Sequence, residues 1–236
     1  MTAADGAESF YTLANNVVRT ETPEQARVLD ARTICAWLGH RHMFVIDNST
    51  GFDEKVRRAL EAMARVVDVS APLEKEKKFK ILNFTYDMLP KEAVKVEIVQ
   101  DYLTKVGSME RRVRIWSINN SPIYFYTEKS ETGEPGVRIE KERQISLEEY
   151  RSYIQQKNPL MQTVLKDRYC FIHAGRNLEC DVYRAPLQKL RVVEVELRDM
   201  DEQVVFPDSW EVVEVTNDPR FNNYSIAAGL LTDADL

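Results

Sequence analysis

The chain has 236 residues, 44% hydrophobic and 30% charged, with 8 Gly and 9 Pro. This is a globular composition with length for a sizeable core in one or two domains. A net charge of -6 argues against nucleic-acid binding through bulk positive charge. The three cysteines, Cys35, Cys170 and Cys180, show no C-x-x-C spacing, so neither a disulfide framework nor a thiolate zinc site is expected. The opening residues, MTAADGAESFYTLANN, lack the basic and apolar regions of a secretory signal. No run approaches the length of a membrane span, so a soluble cytoplasmic protein without a transmembrane segment is expected.

Residues 1–68 read as helix, strand, helix. Thr22 is suited to cap a helix with Pro23 at its first position and Glu24 in its first turn; Ala26, Leu29, Thr33 and Trp37 follow at helical spacing. Met43 to Ile46 is an apolar run of strand type. A second helix begins near Phe52, with Val56, Leu60, Met63 and Val67 continuing its stripe. A buried strand needs neighbours on both sides, and 68 residues do not supply them. The segment is therefore expected to be the C-terminal part of an α/β domain. No G-x-x-x-x-G-K-[ST] motif occurs, so the phosphate-cradling loop of a P-loop site is absent from this sequence. His40 and His42 in GHRH lack a third ligand and read as structural or surface groups. His173 reads as a rim residue, and Trp37, Trp116 and Trp210 as packing residues.

From about Val69 the signals become extended. Candidate strands are EKEKKFKIL, AVKVEIVQDYL, ERRVRIWSI, PIYFYTEKS, GVRIEKERQI, DRYCFIHA, LECDVYR, LRVVEVELRD and SWEVVEVT, separated by turns such as NNSP. One helix, SLEEYRSYIQQ, opens at a Ser146-x-x-Glu149 capping box. This many short strands point to an antiparallel sheet closed on itself, and residues 69–236 form a second domain.

The strands share one property. In LEKEKKFKIL, Glu74, Glu76, Lys78 and Lys80 fall on one face, because side chains alternate with period two. Arg112 with Arg114, Thr127 with Lys129, and Arg138 with Glu140 and Glu142 repeat the arrangement. Arg168, Glu179 with Asp181, and Glu194 with Glu196 and Arg198 continue it. In a simple sheet with one wet face, this would be the solvent side. In a barrel, the same faces line a lumen. Unlike charges ~4 Å apart attract by about 4 kcal/mol at an effective dielectric near 20, and like charges repel as strongly. Such a lumen must pair its charges or admit ions that balance them. Polyphosphate matches the cations, and a divalent metal bridges phosphate oxygens to the carboxylates.

The E-x-E-x-K of Glu74, Glu76 and Lys78, followed by Phe79, resembles the first strand of CYTH domains, the triphosphate tunnel metalloenzyme superfamily. The resemblance continues in order through VQDYL, RVRI, YTEKS, RIEKE, DRYCF, ECDVY, VEVEL and WEVVEVTNDPRFNNYSIA, and covers roughly residues 73–228. It implies an α+β fold, an eight-stranded antiparallel barrel with flanking helices, preceded by the partial α/β segment. It implies Mg²⁺ or Mn²⁺ held by Glu74, Glu76, Glu194 and Glu196. Phosphate oxygens would be held by Lys78, Arg112, Arg114, Lys129, Arg138 and Arg168. Glu140, Glu142 and Asp181 would serve the catalytic role of orienting the basic residues or the water.

Residues 1–68 resemble the end of the P-loop kinase-like domain in a two-domain P-loop NTPase–CYTH family that includes the TRPL translocation-defect protein. That resemblance implies binding of GTP or a phosphoinositide headgroup, peripheral membrane contact and a part in membrane-protein trafficking. Two functions remain open: capture of a phosphorylated ligand without turnover, which the two-domain resemblance favours, and, as the alternative, metal-dependent hydrolysis of an inorganic or organic triphosphate. The same ionic lining serves both.

Overall fold

Two bodies of structure are present in the computed structural model, Met1–Ala71 and Pro72–Leu236. The structure describes residues 1–14, 18–40, 43–66, 73–133, 137–197 and 199–236, and of Arg65, Leu73, Glu74 and Glu131 the backbone alone. His42, Val67 and Arg198, named above, lie outside the described residues.

In the first body, α1 (Pro23–Trp37) starts at the expected cap. Gln25 N donates to Thr22 Oγ1 at 3.3 Å, and Thr22 N donates to Gln25 Oε1 at 2.8 Å. Helix α2 (Phe52–Val66) is held by two buried cations. Lys55 Nζ donates to Thr2 O at 2.6 Å and to Asn48 Oδ1 at 2.5 Å, and Arg58 donates to Asp47 Oδ1 at 2.8 Å and Asp47 O at 2.7 Å. Three packing expectations need correction. The Met43–Ile46 run joins no ladder among the described residues; one bond, Thr2 N to Ile46 O at 3.0 Å, ties it down. Of the α1 stripe, Ala26 is buried while Leu29, Thr33 and Trp37 are exposed. The α2 stripe of Phe52, Val56, Leu60 and Met63 is exposed along its length. A helix buries its apolar stripe only against another element, and among the described residues this body contains no sheet to receive either one.

The second body contains β1 (Leu73–Ile81), β2 (Val94–Tyr102), β3 (Glu110–Ile118), β4 (Ser121–Glu131) and β5 (Val137–Ile145). Helix α3 (Leu147–Ile154) follows, then β6 (Val164–His173), β7 (Arg176–Ala185), β8 (Arg191–Glu196), β9 (Val212–Glu214) and α4 (Asn223–Ala227). The strands lie in the order β5-β4-β3-β2-β6-β7-β8-β1-β9, and β5 also pairs with β1, which closes β1 to β8 into an eight-stranded antiparallel barrel. Closure removes the exposed edges of an open sheet. Strand β1 gives one edge to β8 over Glu76–Lys80. Its other edge is shared, with β5 at Leu73–Lys75 and β9 at Phe79–Ile81. Between those two stretches Thr216 completes the edge, its Oγ1 accepting from Lys78 N at 3.1 Å.

Local chemistry sets the turns. The β3–β4 hairpin has a two-residue loop, Asn119 and Asn120, with φ of 49° and 62°. Such loops favour left-handed backbone, which asparagine tolerates. Helix α3 opens on the expected box, with Glu149 N donating to Ser146 Oγ at 3.1 Å and Ser146 N to Glu149 Oε2 at 2.8 Å. Its Tyr150, Tyr153 and Ile154 cover Val113, Tyr126 and Ile145 on the outside of the barrel. On the opposite wall, Phe79, Phe171, Leu178, Val182, Val193 and Val195 form the outer core under Phe206 and Trp210. Leu178 is 0% exposed there, whereas Leu160 is 85% exposed. Leu178→Ala should lower stability by about 2–5 kcal/mol through lost burial and a residual cavity. Leu160→Ala should stay within about 0.5 kcal/mol of the parent. Urea unfolding of the two variants, followed by circular dichroism, checks this contrast.

Candidate functional site

Residues directly opposite one another in a ladder share a face, so register decides what lines the lumen. Lys78 stands opposite Glu194, which stands opposite Glu179. Arg168 faces Asp181. Arg112 faces Thr127, which faces Glu142, and Lys129 faces Glu140. Glu76 faces Glu196 and Glu74 faces Arg138. The ionic faces of separate strands thus become one inner surface.

Two clusters occupy that surface. On β1, β6, β7 and β8, Lys78 Nζ donates to Glu194 and lies 2.8 Å from Glu76 Oε1. Arg168 donates to both oxygens of Asp181 at 2.7 and 2.8 Å and also to Glu179 and Glu194. Lys166 donates to the same Asp181. On β3, β4 and β5, Arg112 donates to Glu140 at 3.4 Å, and Lys129 pairs with Glu140. Arg114 donates to Glu142, which also accepts from Thr127 Oγ1 at 2.6 Å. Lys78, Arg112, Arg114, Lys129, Glu140, Arg168, Asp181 and Glu194 are all buried. Arg138 is half-buried and Glu196 is exposed, while the side chain of Glu74 lies outside the described residues.

Burial and pairing pull the protonation equilibria in opposite directions. Burial alone would depress Lys78 and raise Glu194. For Lys78, the carboxylates of Glu194 and Glu76 outweigh burial and hold it above the ordinary lysine value. Burial also opposes the charged form of Glu194, but Lys78, Lys166 and Arg168 hold it well below the usual carboxylate range. Glu76 is lowered too: burial and the repulsion of Glu194 oppose its charged form, and Lys78 and Lys129 together outweigh them. Lys166 goes the other way, because burial outweighs its attraction to Asp181 and lowers it.

Lys166 is the main residue that sequence reasoning missed. It is 1% exposed and points inward two residues before Arg168, so the alternation in KDR was a readable signal. Alternation groups Glu179 with Asp181 but assigns it no role. Gln100, buried opposite Arg114, donates from Nε2 to Tyr102 Oη at 3.0 Å. Trp116 packs as expected, but on the inner face, where the guanidinium carbons of Arg114 and Arg168 each lie 5.8 Å from its ring centroid. A π-face attracts such cations and helps hold them in place.

No group of three or more His, Cys, Asp or Glu side chains converges on a metal position among the described residues. The donor chemistry nevertheless fits a hard divalent ion. Glu76 and Glu194 share Lys78, and Glu196 lies opposite Glu76 on the same face. These are oxygen ligands on adjacent strands, the kind Mg²⁺ and Mn²⁺ take.

Neither a protein-family model nor a curated protein matches the chain. Among solved structures, the protein NE1496 shares 30% identity over 66% of this chain and 97% of its own length, with a TM-score of 0.46. Identity at that level across nearly the whole relative decides membership. The chain belongs to the CYTH superfamily. A second structure of NE1496, described as an inorganic triphosphatase, aligns at 29% identity over 66% and 94% of the two chains with a TM-score of 0.44. HpAC1 from Hippeastrum, described as a putative adenylyl cyclase with a dominant triphosphatase activity, shares 13% over 53% and 80% with a TM-score of 0.40. That likeness is too distant to carry weight.

Within this CYTH lumen the depressed carboxylates link stability to pH. A group whose folded pKa lies below its unfolded value contributes fully above the unfolded value and loses its contribution as pH falls through the folded one. For Glu194 the window therefore opens at its usual 4.5 and extends downward. Urea midpoints should fall as the protein is acidified below that value, and Glu194→Gln should fall less steeply over the same range. A variant with the parent's slope would detach Glu194 from acid unfolding.

Proposed function

We propose that this protein hydrolyses a triphosphate, inorganic or organic, inside its barrel with the help of Mg²⁺ or Mn²⁺. One observation carries this reading: six cations, Lys78, Arg112, Arg114, Lys129, Lys166 and Arg168, are buried on one inner face of a closed barrel. Each is paired with a carboxylate of the lining, and so dense a set of ion pairs on one inner surface suits an anion that brings cations of its own for those carboxylates. The identity to a protein described as an inorganic triphosphatase supports the reading.

The pairing within the lumen says how a ligand would enter. A polyphosphate that took Lys78, Arg114 and Arg168 for itself would strand Glu194, Glu142 and Asp181 in a buried site. Uncompensated buried charge costs several kcal/mol per ion. The phosphate therefore enters with divalent cations, which Glu76, Glu194 and Glu196, joined by Glu74, would hold. When bound, such an ion neutralises phosphate oxygens and strengthens the electrophilic character of the reacting phosphorus.

The remaining work falls to this chain's own residues. Arg112, Arg114 and Lys129 would grip phosphate oxygens from one wall, and Lys78, Lys166 and Arg168 from the other. Arg138 would contribute at the β1–β5 seam. Glu140 and Glu142 hold the guanidiniums of Arg112 and Arg114 in place, and Asp181 does the same for Lys166 and Arg168. These three acids, expected to be catalytic, are assigned a positioning role. Transfer of a phosphoryl group to water needs little beyond positioning and charge stabilisation, which this wall supplies.

The second reading is capture without turnover of a nucleotide or a phosphoinositide headgroup, tied to membrane-protein trafficking. It uses the same cations. Its link to trafficking and to a P-loop partner domain comes from the sequence resemblance of residues 1–68, which belong to the first body alone. The assay that separates the readings is phosphate release from inorganic triphosphate, ATP and GTP, with and without Mg²⁺ or Mn²⁺. Hydrolysis should require the metal, and Glu76→Gln should lower kcat by about 100-fold or more. Arg114→Ala should weaken binding by about 10- to 100-fold through loss of a charge-assisted contact. Heat of binding without phosphate release would favour capture; absence of both would remove the lumen as a phosphate site.

A further inference from the structure

The inner face of β2 carries no charge. Val96 stands opposite Arg168, Ile98 opposite Lys166 and Trp116, and Gln100 opposite Arg114 and Val164, so this strand separates the two ionic clusters. Gln100 is 0% exposed. Its Nε2 donates to Tyr102 Oη at 3.0 Å, but its Oε1 finds no hydrogen-bond partner among the described residues. The register explains why. Arg114, directly across, turns to Glu142, and Lys166, on the diagonal in β6, turns to Asp181. Tyr102 holds the amide in this attitude, its own ring set edge to face against Tyr224 at 5.1 Å. An acceptor buried without a donor is costly, and its presence inside an ionic lumen asks for a function.

We propose that Gln100 is a catalytic residue whose Oε1 seats the water that attacks the phosphate. This deepens the triphosphate reading and rests on it. An amide oxygen repels phosphate oxygens, so Oε1 is unsuited to grip the substrate and accepts instead from an O–H. A triphosphate held by Lys166 and Arg168 on one side and by Arg112 and Arg114 on the other lies in front of β2. The seat is then beside phosphorus. A buried water needs several polar partners, and Gln100 supplies an acceptor where the neighbouring cations supply only donors.

In the hydrolytic step, a lone pair of the seated water forms the new O–P bond while the bridging P–O bond breaks, its electrons leaving with the bridging oxygen. Inorganic triphosphate gives orthophosphate and pyrophosphate, with one proton released to solvent. An amide oxygen is too weak a base to keep that proton. Gln100 therefore contributes orientation: it holds one O–H of the water and leaves a lone pair directed at phosphorus.

The test compares Gln100→Met, which removes the acceptor at similar volume, with Gln100→Glu, which keeps an acceptor at the same place. Turnover of inorganic triphosphate with Mg²⁺ gives kcat, and calorimetry with a bridging-imido triphosphate, which resists hydrolysis, gives affinity. Gln100→Met should lower kcat about 10- to 100-fold, with affinity and the Mg²⁺ dependence of the rate within about twofold of the parent. Gln100→Glu should bind about 10-fold more weakly through repulsion, yet turn over faster than Gln100→Met at saturating substrate. An unchanged kcat in Gln100→Met would overturn the proposal. So would lost affinity or a raised Mg²⁺ requirement in that variant, which would make Gln100 a phosphate or metal contact. A high-resolution crystal structure of the parent chain tests the seat whether or not either variant folds. A water bonded to Oε1 supports it, and an Oε1 bonded to protein or left dry refutes it. Binding of inorganic triphosphate by the parent without phosphate release would defeat the enzymatic reading, and the crystallographic water would then decide the seat alone.

Discussion

Charge compensation inside a closed barrel governs this protein. Arg168 touches Asp181, Glu179 and Glu194, and Lys78 is held between Glu194 and Glu76. Each buried ion is tolerable only because its neighbours on adjacent strands satisfy it, and those neighbours arrive only if the strands close in register. A slip by one residue would turn every inner charge of a strand to the outside of the barrel. Closure and ion pairing therefore depend on each other. The shared use of β1's second edge by β5 and β9 shows how little ladder the seam needs, since three residue pairs join β1 to β5.

The same compensation shapes function. A lumen whose cations are already matched by carboxylates is an ion exchanger rather than a vacant cationic pocket. On the proposed reading, anions would gain entry by bringing positive charge for the acids they displace, which would couple metal and phosphate binding thermodynamically. Trp116, lying between two guanidiniums, adds a neutral attraction that survives the exchange and keeps Arg114 and Arg168 oriented.

The first body follows different physics. Its helices are anchored by polar contacts, with Lys55 and Arg58 buried against Thr2, Asn48 and Asp47, while the apolar stripe of α2 stays exposed. Helix periodicity predicted that stripe correctly as a pattern. It could not say whether a partner is there to cover it, because amphipathicity is a local property and burial is not.

Much of the second body was legible beforehand because strand alternation is local and exact in period. EKEKK, RRVR, RIEKE and VEVE each announce one ionic face, NNSP announces a turn, and Ser146 with Glu149 announces a helix start. By itself, the sequence determined which residues share a face, where the chain turns, and that one face of nearly every strand is charged. It left open whether that face looks outward to water or inward to a lumen. The alternation in KDR puts Lys166 on the ionic face, but its pairing with Asp181 lies across a bulged ladder that no local pattern reveals. Only the tertiary structure decided those points, because they depend on strand order, register and the return of β5 to β1. The cluster under the C-terminal segment belongs in the same class: Ile226 and Leu231 read as ordinary apolar residues until the barrel packs Tyr102, Tyr183 and Val192 against them. Contacts between residues far apart in the chain are set by closure, which no local period encodes.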